Sequence, residues 1–180
     1  MKAILRTAAA GLAIASFGVA SAASAATSDD AQVTATILTA LSVDVDPLDN
    51  TLNFGTIADG GITGDQTITV STAGARVGAC PTGLICGGTV NAPTFNITGL
   101  AGTNVQVSFE NASETLSITG YTGTLDSTMA VNAFTTSLTG NQVLLFDGSE
   151  SFTVGGTLTV SPGQAPGVYT GTTTVQVAYI

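Results

Sequence analysis

The chain of 180 residues has no histidine, no tryptophan, two cysteines and only three basic side chains. Each shortage excludes something. Without histidine, a hydrolase triad lacks its usual base, and a zinc site has nothing to add to the two thiols. Three cations against twelve acidic residues exclude a nucleic-acid binder, because neutralising phosphates takes many Lys or Arg contacts. The same imbalance repels an anionic lipid surface. No enzyme activity and no cofactor is expected.

Two of the three cations sit at the start. Lys2 and Arg6 precede an apolar run over 8–20 that is too short to span a bilayer, and Ala23-Ser24-Ala25 offers a small-x-small cleavage site. Ala20-Ser21-Ala22 is an equally legal site. Residues 1–25 are therefore expected to be a removed export signal, which leaves Arg76 as the sole cation of the working protein. In an oxidising compartment Cys80 and Cys86 form a local disulfide. Closing so short a loop stabilises by roughly 2–3 kcal/mol in the chain-entropy model.

What is abundant is glycine, 22 residues of it, together with Thr, Ser, Val and Ala. This composition favours short strands joined by turns, in one domain by size. The first period-two pattern runs through Ala31, Val33, Ala35, Ile37, Leu41, Val43 and Val45. It is too long for one ordinary strand and is expected to divide near residues 39–42. Pro47 ends it. Further strands are predicted over 51–55, 66–71, 94–98, 104–110, 115–119, 129–138, 143–146 and 151–160. The last pattern, Tyr169, Gly171, Thr173, Val175, Val177 and Tyr179, runs almost to Ile180 and leaves a strand edge that invites another chain. The class is an all-β sandwich or barrel, with the immunoglobulin-like sandwich preferred.

Other candidate sites are weak. Asp44, Asp46 and Asp49 lack the spacing and glycine of a calcium loop and read as a solvated strand face and turn, with a weak cation site as the alternative. Glu110 and Glu114 flank a turn and would make a glycosidase pair only beside an aromatic platform.

Three local signatures resemble the pilus subunits of chaperone-usher systems, most closely the archaic branch related to spore-coat-protein-U-like domains. They are the alternating segment leading into Thr51-Leu52-Asn53-Phe54-Gly55, the lead-in Val154-Gly155-Gly156-Thr157-Leu158, and the ending that begins Pro166-Gly167-Val168-Tyr169. The resemblance implies an immunoglobulin-like sandwich missing its final strand over residues 42–180, with residues 26–41 forming a donor extension. It implies a donor strand carrying Ala31, Val33, Ala35, Ile37 and Leu41, and an acceptor or chaperone-binding edge of Gly167, Tyr169, Val175, Val177 and Tyr179. The implied partners are copies of itself or related subunits in a head-to-tail filament, a periplasmic chaperone and an outer-membrane usher. The implied route leads through the periplasm to the cell surface, for adhesion or biofilm formation. The alternative is a self-contained secreted binding or adhesion module, favoured by the small size of Ala31, Val33 and Ala35.

Overall fold

In the computed structural model, which describes residues 31–180, alternation of apolar and polar residues becomes eleven short strands. The expected signal over 1–25 and the first residues of the extension, 26–30, lie outside the described residues. In chain order the strands are β1 (Ser42–Val45), β2 (Thr56–Asp59), β3 (Gln66–Val70), β4 (Leu84–Gly87), β5 (Thr94–Thr98), β6 (Thr103–Phe109), β7 (Ser113–Ser117), β8 (Thr128–Thr136), β9 (Gln142–Leu145), β10 (Ser149–Val160) and β11 (Val175–Tyr179). They form a six-stranded sheet in the order β1-β5-β10-β8-β7 with β3 also on β10, a three-stranded sheet β11-β6-β9, and the pair β2-β4. Every ladder is antiparallel.

β10 organises the larger sheet because it is long enough to serve two neighbours on one side. Its first half pairs with β5, its second with β3. Phe152, Val154, Leu158 and Val160 all turn inward and are buried, each worth about 1.5–3 kcal/mol against exposure. Between them lie Gly155 and Gly156, where the chain is crowded. A Cβ at Gly155 would stand 2.6 Å from the carbonyl oxygen of Val70.

The two halves of β10 feed two cores. Ile97, Phe152 and Val154 meet Val105, Val107, Leu145 and Val175 of the opposed three-stranded sheet, which makes the molecule a sandwich. Ile68, Val70, Val131, Leu158 and Val160 are covered instead by Phe54, Ile62 and Leu84, from the β2–β4 region. Phe134 packs against both clusters. It reaches them because a bulge in β8 opposite Gly155 and Thr157 places Ala133 at φ 50°. That extra residue shifts the phase of the strand so that Phe134, rather than Ala133, faces the interior. In the immunoglobulin scheme the large sheet reads A-B-E-D (β1, β5, β10, β8), and the small one carries C and F (β6, β11), with no G strand beyond F among the described residues.

Strand extents differ from the sequence pattern where no neighbour is present. Only 42–45 of the first alternating segment is a strand, because β5 offers partners from Thr98 to Phe95 and none further back. The terminal strand begins at Val175, not Tyr169, because β6 supplies partners only for residues 175–179; Thr170 makes a single bridge to Ser117. Residues 51–55 form one bridge, Asn53 to Asn91, while β2 and β4 pair where no strand was predicted. Cys80 and Cys86 are joined by a disulfide, with Cα atoms 5.8 Å apart, at the base of β4.

The chain divides into units Met1–Thr36 and Ile37–Ile180. Within the first, residues 31–36 form no strand and their side chains are exposed.

Candidate functional site

The terminal strand has one neighbour. β11 pairs with β6 along one edge, and among the described residues its other edge carries no ladder. Val175 is buried and Val177 and Tyr179 pack against the same core, so the odd residues of β11 face inward beside that free edge. On the opposed sheet, β1 places Val43 against this core, with Leu41 just before it, and leaves Val45 41% exposed. β1 and β11 therefore meet without a ladder where the two sheets come together, a narrow gap across which the two strands lie in contact.

The two ends of the gap differ. At one end Tyr179 Oη accepts the backbone N–H of Leu100 at 2.7 Å and donates to the carbonyl of Thr39 at 2.9 Å. Gly99 makes room for it, since a Cβ there would lie 2.5 Å from Tyr179 Oη and 2.9 Å from Leu41 Cδ1. This end is closed. At the other end a cavity of about 290 Å³ opens between Val45, Leu52, Phe54, Phe95, Phe134 and the stretch Gly171–Thr173. Thr173 Oγ1 is buried there with no hydrogen-bond partner. An orphaned hydroxyl beside an apolar cavity is suited to a wall that another backbone or side chain completes.

The turn after β1 is held firmly. Asp49 accepts from Asn91 Nδ2, and from Thr94 Oγ1 at 2.8 Å; these two bonds, Asn91 first, hold its carboxyl below the usual range. Asp46 and Asp49 are thus spent on turn structure, while Asp44 is exposed on β1, and among the described residues no cluster of three ligand-type side chains could hold a metal ion. Glu114 lines the cavity and takes a bond from Asn111 Nδ2 at 3.1 Å.

The expected site residues are only partly brought together. Val175, Val177 and Tyr179 share the gap, with Tyr179 at its closed end. Gly167 and Tyr169 do not join them, because the chain before Val175 leaves the sheet. Gly167 sits where a Cβ would come within 2.7 Å of Ile118 Cδ1. Tyr169 Oη donates to the carbonyl of Ala165 at 2.7 Å, with the Asp126 carbonyl 3.1 Å away as the other acceptor in reach, and burial, then the Asp126 charge, raises its pKa. Of the expected donor residues, Leu41 packs into its own domain's core. Ala31, Val33 and Ala35 are exposed, and Ile37 is 96% exposed. The cavity aromatics Phe54, Phe95 and Phe134 and the clamp at Thr39 and Gly99 were not foreseen; only the tertiary path of the chain assembles them.

A family model described as Domain of unknown function (DUF4402) matches residues 43–179. No curated protein and no solved structure matches the chain.

Proposed function

We propose that this chain, which belongs to the DUF4402 family, is a structural subunit of an extracellular filament assembled by donor-strand exchange. One observation carries the reading. Among the described residues β11 has one edge without a ladder, and the stretch Gly171–Thr173 just before it lines a largely apolar cavity with the unpartnered hydroxyl of Thr173, in a chain that also carries an exposed alternating segment, Ala31 to Ile37. An extended donor adds backbone hydrogen bonds to such an edge and drops alternate side chains into the groove.

The donor set is Ala31, Val33, Ala35 and Ile37, supplied by another copy. Because donor and acceptor are different surfaces, the contact is head-to-tail and grows into an open fibre rather than a ring. A periplasmic chaperone covering the edge until assembly, and an outer-membrane usher, complete the route, and the filament serves adhesion or biofilm formation. Export, removal of residues 1–25 and the surface location belong to the same reading.

Residues 26–36 are the ones to delete. Co-expressed with its chaperone, the truncated subunit is expected to stay soluble and chaperone-bound and to give no filaments by electron microscopy. Normal filaments from that variant would sink the proposal. The second reading, a self-contained secreted adhesion module, draws on the Tyr179–Thr39 bond, which already closes one end of the gap. A monomer purified without chaperone whose cooperative melt is unchanged by the deletion would favour it.

A further inference from the structure

β2 and β4 form a two-stranded ribbon that joins neither of the other sheets. Side-chain packing holds it down. Ile62, just beyond β2, and Leu84 of β4 are buried against a cluster that includes Ile68, Val70, Leu158 and Val160, and Ile57, Cys80 and Cys86 pack beside them. The ribbon is therefore a lid on this lower core. The upper core around Ile97, Val105 and Phe152 contains none of its residues.

The second strand of the lid arrives by an irregular leg. The chain leaves β3's edge with the Val77 N–H bonded to the Thr69 carbonyl at 2.8 Å, and residues 78–83 then form no strand. Gly78 and Gly88, at φ 76° and 70°, bracket this leg and β4 with a left-handed backbone that glycine adopts without strain. The leg is fixed by the bond between Cys80 and Cys86, assisted by a turn from the Leu84 N–H to the Pro81 carbonyl at 3.0 Å. The loop so closed contains Leu84, the residue of β4 whose side chain is buried. Neither cysteine is fully buried, so a small thiol has access to the bond.

We propose that the Cys80–Cys86 bond is a redox latch on this lid: its reduction releases the lid from the lower core while the rest of the sandwich stays folded. The chemistry is thiol–disulfide exchange with a dithiol. One thiolate attacks a cystine sulfur and expels the other as a thiolate, and the second thiol of the reagent then resolves the mixed disulfide. Two electrons and two protons pass to the chain, which gains two thiols, and the dithiol becomes a disulfide. The loop regains the freedom that closure removed, and Leu84 loses its fixed approach to the core. Opening is local, one cooperative unit exchanging while the others remain closed. It uncovers Ile68 and Val70 of β3 together with Leu158 and Val160 of β10. The latch does not depend on the filament reading.

Hydrogen exchange read by mass spectrometry tests it, on the chain with and without dithiothreitol, with thiol titration to verify reduction. Exchange in peptides covering 56–62 and 80–88 is expected to quicken at least about tenfold, and the fluorescence of an apolar-surface dye to rise, while peptides from β6 and β11 keep their protection. Unchanged exchange in the lid of the reduced chain would overturn the latch. So would loss of protection in β6 and β11 along with the lid, or a bond that excess dithiothreitol leaves intact in the folded chain. The double variant Cys80→Ser, Cys86→Ser should show the open lid without reductant, and a closed lid there counts against the proposal. Leu84→Ser gives a readout with the bond intact: faster exchange in the same peptides supports the latch, and unchanged exchange shows that Leu84 is not what it holds down.

Discussion

Replacing Tyr179 by Phe removes one oxygen and leaves the ring. That oxygen satisfies the part-buried N–H of Leu100 and donates to the Thr39 carbonyl. The Thr39 carbonyl is at an exposed site and finds water, so its loss costs little. The Leu100 N–H is left short of an acceptor, which costs about 1–3 kcal/mol. The same oxygen is the nearest obstacle to a side chain at Gly99, 2.5 Å from a Cβ built there. Gly99→Ala alone therefore overpacks the site, at about 1–3 kcal/mol, offset by about 0.4–1 kcal/mol from reduced freedom of the unfolded chain. In the Tyr179→Phe background a Cβ at residue 99 still meets the Leu41 and Leu145 methyls, at 2.9 and 3.0 Å, but those are flexible side-chain ends. The two substitutions should couple, the double variant being less destabilised than the sum by about 1 kcal/mol. Urea unfolding of the four chains of the cycle measures this directly. Additivity within about 0.3 kcal/mol would show that Tyr179 Oη does not occupy the space Gly99 provides, and the closed end of the gap would lose its physical basis.

Two further outcomes follow from the packing and the acids. Phe134→Ala removes the ring that touches both cores and stacks on Phe109 at 5.3 Å between centroids; because Phe134 is only partly buried, a loss of about 2–4 kcal/mol in chemical denaturation is expected. Asp49, Asp59 and Asp126 all have lowered pKa values. Asn91 leads the causes for Asp49, the Ile62 N–H for Asp59 and the Thr128 N–H for Asp126. A depressed folded pKa gives stability that is complete above the unfolded value of about 3.9 and is lost as pH falls through the folded values. Melting temperature should stay flat from neutrality to about pH 5 and drop below about pH 4. Asp59→Asn should flatten part of that drop, and an unchanged acid profile in that variant would show that the Gly61 and Ile62 amides do not hold the charge.

Alternation identified most strands because a half-buried strand must place every second residue inward, and β5, β6 and β10 lie close to where the pattern put them. It failed where strand formation depends on a neighbour. Ala31 to Ile37 alternates as cleanly as β6, yet a strand is stable only as part of a ladder, and the chain offers these residues none. Tyr169 and Gly171 continue the phase of β11 but lie beyond the last residue of β6 that could pair with them. The reverse error is β2 with β4. Ile57 and Cys86 sit in short, glycine-flanked pieces without a readable period, and they pair in a ladder that the bond from the Gly60 N–H to the Gly83 carbonyl extends at one end.

The sequence by itself determined the all-β class, the local disulfide, and which face of the alternating strands is apolar. These are properties of composition and of spacing along the chain. The tertiary structure decided which strand lies beside which, and so which edge is left without a neighbour. It set the bulge that turns Phe134 inward, the clamp from Tyr179 to Thr39, and the placing of the cavity between Val45, Phe95 and Gly171–Thr173. Period-two alternation records which way a side chain points but not what it meets, and the meeting is settled only when segments far apart in the chain compete for the same ladder.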